Sequence, residues 1–170
     1  SYLILAINDR DRTIADWKAR DGRDWVDQML LGGMLTAAEL GYRMIFELVD
    51  THSDHVEREL GAAIAALQPD GVIVTPPHSE NAQITGLLAE SGIPFARIGS
   101  KEAGPGIAMT MGDELLAGKA TDHLIELGHT RIGFIPGPAE YSLTSWRVDG
   151  WREAMANAEF DCDGLLERGD

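Results

Sequence analysis

The sequence predicts an α/β fold, in which an open parallel sheet carries helices on both faces as a three-layer α/β/α lobe. Short apolar runs alternate with segments of helical periodicity from the first residues to the last. The boundaries between these segments are rich in Gly, Pro, Asn and Asp, which are typical of turns. Strands that alternate with helices form parallel sheets through right-handed crossovers, and these crossovers cover both faces.

The strands of this sheet are predicted from short runs of apolar and β-branched residues. In chain order the five runs are Tyr2–Ile7, Tyr42–Leu48, Val72–Val74, Phe95–Ile98 and Ile107–Met111. A further run, Ile132–Ile135, stops at Pro136-Gly137-Pro138 and predicts one more short buried strand. Such continuous apolar runs are typical of strands that are buried on both faces.

Helices are predicted between the strands. The segments are Asp24 to about Leu40, Asp54 through Leu67, about Glu80 to Ser91, and Asp113 to Leu127. Asp54 and Glu57 have the spacing of a capping box, and Asp113 is placed to cap the last helix. Gly128 follows directly, where a left-handed residue would close that helix. Residues 8–12 are expected to form a polar turn, which a charged connection joins to Arg23.

The composition indicates a globular protein with an acidic surface. Apolar residues make up 44% of the chain and charged residues 25%, and 28 Asp and Glu outnumber 14 Lys and Arg to give a net charge of −14. This balance opposes direct binding to DNA phosphates or to an anionic membrane. No apolar run is long enough to span a bilayer, and the first residues lack the pattern of a signal peptide. A single cysteine, Cys162, suits a cytoplasmic location.

Polar residues follow two of the predicted strands at the edge where ligands bind in open α/β sheets. Asn8 and Asp9 end the first strand, and Thr75 and His78 follow the third. Because the carboxyl ends of parallel strands meet at one edge, these four side chains can converge on a ligand. Asn and Asp are also ordinary turn residues, so a purely structural role is the alternative for each position.

One long motif runs from His123 to Trp151, where HLIELGHTRIGFIPGP is followed after a short interval by SWRVDGW. This motif resembles the signature of the LacI-type transcription regulators, in their effector-binding domain. The resemblance implies a periplasmic-binding-protein-like fold with strand order 2-1-3-4-5. It also implies that residues 1–129 form a first lobe and that residues 130–170 begin a second, truncated lobe. The DNA-reading headpiece would lie outside the chain, which is therefore expected to be a fragment.

The resemblance also implies which residues bind the effector. The family's arginine, four residues before an aromatic that starts a helix, matches Arg147, and the aromatic matches Trp151. Arg147 is thus similar to a guanidinium fork on ligand hydroxyls or carboxylates. Thr75 aligns with a polar ligand contact. Trp25 falls at a stacking aromatic, although the family's preceding Asn-Pro is absent, and a tryptophan buried between helix and sheet is the alternative.

Two further positions are assigned to the effector site with an alternative for each. Asp113 falls at the family's usual Asp or Asn before a helix, where a plain N-cap is equally expected. Trp146, beside Arg147, is expected either to stack on a ligand or to cover the start of its helix.

His52 and His55 with nearby carboxylates resemble a metal site, but a polar loop explains the same residues, and no metal is predicted.

The resemblance implies a sensor of a small molecule, often a sugar, and not an enzyme. No P-loop, nucleophile elbow or dinucleotide fingerprint is present, and no cofactor is predicted. The family implies a cytoplasmic homodimer whose lobe motion acts on operator DNA only through the headpiece. A periplasmic solute-binding protein of the same fold is the first alternative. An α/β enzyme for a sugar or nucleotide, with Asp9, His78 and Asp113 as its catalytic groups, is the second.

Overall fold

The computed structural model describes residues 2–20, 24–50 and 52–167, with only the backbone at Asp24. The chain divides into two compact units, residues 1–109 and residues 110–170. These are the N-terminal unit and the C-terminal unit. The predicted lobe boundary between residues 129 and 130 refers to the family's two lobes and stays a prediction.

The N-terminal unit is built on a five-stranded parallel sheet of order β2-β1-β3-β4-β5. The strands are β1 (Tyr2–Asp9), β2 (Tyr42–Val49), β3 (Gly71–Val74), β4 (Phe95–Ile98) and β5 (Ile107–Met109). The predicted fold class and the strand order are therefore confirmed. The fifth strand ends two residues earlier than predicted.

Helices cover both faces of this sheet. They are α1 (Arg10–Ala19), α2 (Asp24–Glu39), α3 (Val56–Leu67) and α4 (Ala82–Ser91), with a 3-10 helix at His78–Glu80. The side chain of Met44 reaches α2 at Gly33, whereas Val49 packs into a core with residues of α3 and α4. Alternate residues of β2 thus point to opposite helix layers, as the pleat of a strand requires.

The core of the N-terminal unit lies between the sheet and the pair α3 and α4. Its buried apolar residues are Leu5, Ile7, Val49, Val56, Leu60, Val72, Val74, Ile84, Leu88 and Phe95. Strand residues alternate in this set, and the helical members recur at spacings of four. Burial of this apolar stripe fixes the register of β1, β3 and β4, and with it the position of their carboxyl ends.

Helix α1 replaces the predicted polar turn and charged connection, so that prediction is wrong. The carboxylate of Asp9 caps α1 by accepting a hydrogen bond from the amide of Arg12 at 3.2 Å. Arg12 and Asp16 form an ion pair one turn apart, and Arg20 closes the helix in the left-handed conformation. No residue of α1 is buried, so the sequence lacks the apolar stripe that would have indicated a helix.

Two helix starts differ from their predictions. Helix α3 begins at Val56 after His55, without a side-chain cap, so the capping box of Asp54 and Glu57 does not form. Helix α4 begins at Ala82, because Asn81 accepts hydrogen bonds from the amides of the second and third helical residues at 2.9 and 3.3 Å. Glu80, where the helix was expected to begin, is the last residue of the 3-10 helix instead.

The C-terminal unit contains two packed helices, α5 (Asp113–Glu126) and α6 (Ser142–Asn157). At the end of α5, Gly128 has a φ of 92°, and its amide donates to Ile125, while the amide of His129 donates to Leu124. This is the hydrogen-bond pattern of a left-handed glycine stop, as predicted. At the other end, Gly112 is the N-cap with a φ of 73°, so Asp113 is not the predicted cap.

The predicted strand Ile132–Ile135 is not formed. Only an isolated parallel bridge joins Phe134 to Leu166, through hydrogen bonds of 2.8 and 3.1 Å to the neighbouring residues. A strand needs a continuous partner, and the described segment supplies a single bridge. Trp151, expected at a helix start, lies in the middle of α6, which begins nine residues earlier.

None of the helices within the described ranges is both long enough and apolar enough to cross a membrane.

Candidate functional site

Four of the predicted site residues meet at the carboxyl edge of the N-terminal unit's sheet. Asn8 and Asp9 end β1, and Thr75 and His78 follow β3, which pairs directly with β1. All four are buried. Their convergence follows from the register, because Ile7 of β1 lies opposite Val74 of β3. The prediction that these side chains lie at one edge is therefore confirmed, while their binding of an effector remains a proposal.

Asn8 is the centre of a short hydrogen-bond chain. The hydroxyl oxygen of Thr75 lies 2.6 Å from Oδ1 of Asn8 and 2.9 Å from the carbonyl oxygen of Ile7, so its proton is donated to one of them at a time. The Asn8 amide nitrogen donates to the hydroxyl of Thr13 on α1 at 2.7 Å. Amides and hydroxyls that share such exchangeable bonds can accept or donate to the hydroxyls of a sugar.

His78 is the fully buried histidine of this edge. Its side chain is inaccessible to solvent, and burial lowers its pKa below the usual 6.5, although the carboxylates of Asp9 and Asp50 and backbone hydrogen bonds at Asn8 and Val49 oppose that shift.

Trp25 lies in the first turn of α2 and is 39% exposed. The alternative of a tryptophan buried between helix and sheet is therefore wrong. An exposed indole face remains available for stacking, so the predicted effector contact stays a prediction.

The C-terminal unit brings together Asp113 and Arg147, which are 34 positions apart in the sequence. Nε and Nη2 of Arg147 lie 2.7 and 2.6 Å from the same carboxylate oxygen of Asp113. Asp113 is buried in the first turn of α5, whereas the Arg147 side chain remains partly exposed on α6. The guanidinium is therefore fixed in place by a buried carboxylate and still presents N–H groups toward solvent.

Trp146, the remaining predicted site residue, is buried in the second turn of α6. A buried indole packs as part of the helix and offers a ligand little free ring face. Its predicted contact with the effector is not supported by this burial and stays a prediction.

The loop that resembled a metal site is held by local hydrogen bonds. The amide of His52 donates to Asp50 at 2.9 Å, and the amide of His55 donates to Ser53 at 3.1 Å. These are turn contacts of the kind that polar loops use. Within residues 2–20, 24–50 and 52–167, no three His, Cys, Asp or Glu side chains are grouped as metal ligands.

Two residues at the sheet edge were not predicted. Thr13 takes part through its hydrogen bond with Asn8, and Arg97 of β4 is buried beside the end of β3. Thr13 gave no signal in the sequence, since it lies in a helix that was not predicted. Arg97 did give a signal in the sequence, because it is a charged residue inside an otherwise apolar strand. A buried charge of this kind needs a polar or charged partner.

The sequence and the fold are similar to those of known proteins. Residues 19–168 match the family described as "Periplasmic binding proteins and sugar binding domain of LacI family". The regulator CelR of Thermobifida fusca is 29% identical over 141 residues, which are 81% of this chain and 41% of CelR. The regulator DegA of Bacillus subtilis is 27% identical over 133 residues, which are 76% of this chain and 39% of DegA.

Solved structures have the same fold. The structure of a CelR–cellobiose complex superposes with a TM-score of 0.80 at 24% identity, covering 99% of this chain and 50% of that one. The transcription regulator CcpA of Lactococcus lactis superposes with a TM-score of 0.72 at 20% identity, covering 100% of this chain and 59% of CcpA.

The chain belongs to the family of periplasmic binding proteins and LacI-type sugar-binding domains. It spans about two fifths of the length of the two curated regulators, 41% and 39%. Both of these relatives are named as transcriptional regulators of the helix-turn-helix type.

Proposed function

We propose that this chain senses a small carbohydrate as part of a LacI-type transcription regulator in the cytoplasm. The observation that carries the proposal is the hydrogen-bond chain from Thr75 through Asn8 to Thr13, at the edge of the sheet where this fold binds ligands. The family match supports a sugar, and the related CelR has been solved with cellobiose. The proposed activity is binding without turnover, and it requires no cofactor.

Each unit, taken by itself, carries polar groups that are suited to the binding of an effector. In the N-terminal unit, effector hydroxyls would exchange with the bonds that Asn8 makes to Thr75 and Thr13. In the C-terminal unit, Arg147 would donate from its partly exposed face while Asp113 keeps the guanidinium oriented. An effector changes the regulator only by the difference between its affinities for the two conformational states.

The charge of the chain supports an arrangement in which sensing and DNA binding belong to different domains. A net charge of −14 is unsuited to contact with phosphates, so operator DNA would be bound through a separate headpiece. The helix-turn-helix names of the two curated relatives support this arrangement. The sensing domain would then act on DNA indirectly, through the geometry of a homodimer.

The effector proposal is tested by thermal-shift measurements on the full-length protein with neutral sugars, disaccharides and sugar acids. A ligand at a hundredfold excess over its Kd adds about 2.7 kcal/mol of stability. We expect such a shift to be lost in Arg147→Ala, because the guanidinium bonds go with the side chain. Arg152→Ala, an exposed arginine on the same helix, is the matched control and should keep the full shift.

The outcomes separate the site from the function. A ligand that stabilises wild type and Arg147→Ala equally would place the effector away from Arg147. If no carbohydrate in the panel shifted the wild type at millimolar concentration, the proposal that this protein senses a carbohydrate would be wrong.

The homodimer is proposed to form through an exposed apolar stripe on α2. Leu31, Met34, Leu35 and Ala38 follow helical spacing and are all exposed. On α3, by contrast, the apolar residues Val56 and Leu60 point into the core. A stripe of this kind on a single chain indicates a protein interface.

Sedimentation velocity tests the dimer. We expect wild type to sediment as a dimer and Leu35→Lys to raise the dimer dissociation constant about tenfold or more, because a charge would enter an apolar interface. Thr36→Lys adds the same charge one residue away, off the stripe, and should leave the dissociation constant unchanged. A wild type that stays monomeric at high concentration would contradict the proposal.

A further inference from the structure

Arg97 is a buried cation whose partners are all neutral. It is 5% exposed and lies on β4, opposite Val74 of β3. Its Nη1 donates to the hydroxyl of Ser100 at 2.8 Å, and its Nη2 donates to the backbone carbonyl of Glu102 at 2.9 Å. Its Nε has no hydrogen-bond partner. The guanidinium is thus buried with one N–H group unsatisfied.

The charge of Arg97 is uncompensated among the described residues. No carboxylate of the described ranges forms an ion pair with it, although the chain has twice as many acidic as basic residues, 28 against 14. Arg10, Arg12 and Arg147, which are more exposed, all have carboxylate partners. A buried charge without a counter-ion costs more free energy than its hydrogen bonds to neutral groups return.

A second unsatisfied group lies in the neighbouring element. Ser79 belongs to the 3-10 helix that follows β3 and contacts β4, and its fully buried hydroxyl has no hydrogen-bond partner. Ser79 and Arg97 carry the buried side-chain nitrogen and oxygen atoms without partners in the described part of the chain. Both therefore lie near the carboxyl ends of β3 and β4, the edge that also carries Thr75 and His78.

The covering over Arg97 is a surface loop rich in glycine. Residues 101–106 of this loop are exposed, and a Cβ at Gly104 would lie 3.3 Å from Nη2 of Arg97. The loop thus lies directly on the guanidinium, and the Glu102 carbonyl occupies a position that a ligand oxygen could take. Displacement of this exposed loop would uncover the guanidinium for an oxyanion.

We propose that Arg97 and Ser79 form an oxyanion subsite, so that the effector of this protein is a sugar that carries an acidic group. A guanidinium fork and a hydroxyl donor are the groups that bind carboxylate or phosphate oxygens. An anion would neutralise the buried charge and satisfy both unpaired atoms together. This inference rests on the proposed function and makes its ligand class more specific.

Matched sugars test the subsite by calorimetric titration of the full-length protein. D-Glucuronate and D-galacturonate are paired with D-glucose and D-galactose, while glucose 6-phosphate and inorganic phosphate form a second arm. We expect an acid to bind at least about tenfold more tightly than its neutral partner, as a charge-assisted hydrogen bond requires. A preference for uronates identifies a carboxylate, and a preference for the sugar phosphate identifies a phosphate.

Substitutions tie that preference to the residues. Arg97→Lys keeps the charge but removes the fork, and it should lose most of the preference for the acid. Ser79→Ala, a milder change, should weaken acid binding several-fold and leave the neutral sugar unchanged. Arg58→Gln, which removes an exposed cation on α3, is the control and should retain the full preference.

The outcomes distinguish this inference from the proposed function. Neutral sugars that bind as tightly as their acids would overturn the oxyanion subsite and leave carbohydrate sensing standing. An acid preference that survives both Arg97→Lys and Ser79→Ala would also overturn it. Absence of binding by every sugar and acid would refute both proposals. Binding of inorganic phosphate with no sugar selectivity would reduce the site to an adventitious ion only.

Discussion

Replacement of Trp151 by alanine is expected to lower the unfolding free energy of the C-terminal unit by about 3–5 kcal/mol. Trp151 is 1% exposed and is the largest residue of that unit's core, which also contains Ile132, Val148 and Met155. Its ring stacks on Phe134 with centroids 5.7 Å apart, and its Nε1 donates to the carbonyl oxygen of Ile132 at 3.0 Å. Alanine would leave a cavity and an unsatisfied buried carbonyl together.

Chemical denaturation with hydrogen exchange measures this loss. Exchange should accelerate in α6 and in the segment around Phe134, since both contact the removed ring. Trp17→Ala is the matched control, because Trp17 is 62% exposed on α1, which has no buried residue. It should change stability by no more than about 0.5 kcal/mol. Equal losses in the two variants would show that Trp151 does not hold the C-terminal core together.

The strands and most helices could be predicted because elements that pack on a core have a periodic pattern of apolar residues in the sequence. Apolar runs such as Val72–Val74 became strands, and the glycine at position 128 ended α5 as its position indicated. Helix α1 has no such pattern, since it is stabilised by a cap and an ion pair and not by burial. The strand at Ile132–Ile135 was overpredicted because an apolar run does not specify a partner.

The candidate site also contains one contact that could be predicted from the sequence and one that could not. The meeting of Asn8 with Thr75 follows from parallel strands whose carboxyl ends share one edge, so sequence order was sufficient. The pairing of Asp113 with Arg147 depends on the rotation of two helices about their axes, which composition does not encode. Of the two roles expected for Asp113, effector contact or helix cap, the cap is not formed, and its carboxylate accepts from an arginine of α6. Arg97 lies in a strand that the sequence predicts, but the sequence does not indicate which group would neutralise its charge.

Gly150 allows the close crossing of α5 and α6. Gly150 is buried on α6 at the crossing with α5, where a Cβ would fall on the carbonyl oxygen of Glu114 and lie 3.1 Å from the amide nitrogen of Gly118. Both obstacles are backbone atoms, so they cannot move aside as a side chain would. We expect Gly150→Ala to lower the unfolding free energy of the C-terminal unit by about 2–3 kcal/mol.

Gly118→Ala is the matched control at the same crossing. A Cβ at Gly118 would meet its nearest neighbour, the carbonyl oxygen of Gly150, at an ordinary 3.5 Å. Alanine is a better helix former than glycine, so Gly118→Ala should stabilise α5 by up to about 1 kcal/mol. Denaturant titration should thus give opposite signs for two identical changes on facing helices. The same sign for both would mean that the crossing is looser than its geometry indicates.

The crossing also positions the two residues of the C-terminal unit that are proposed to act in effector binding. Asp113 lies in the turn of α5 that contains Glu114, and Arg147 lies one turn before Gly150 on α6. Moving the helices apart by the width of a methyl group would separate nitrogen and oxygen atoms that now lie 2.6–2.7 Å apart. Gly150→Ala should therefore weaken effector binding although it removes no ligand-contacting group, whereas Gly118→Ala should bind as wild type does. Unchanged binding in Gly150→Ala, with the expected loss of stability, would separate the packing of the two helices from recognition of the effector.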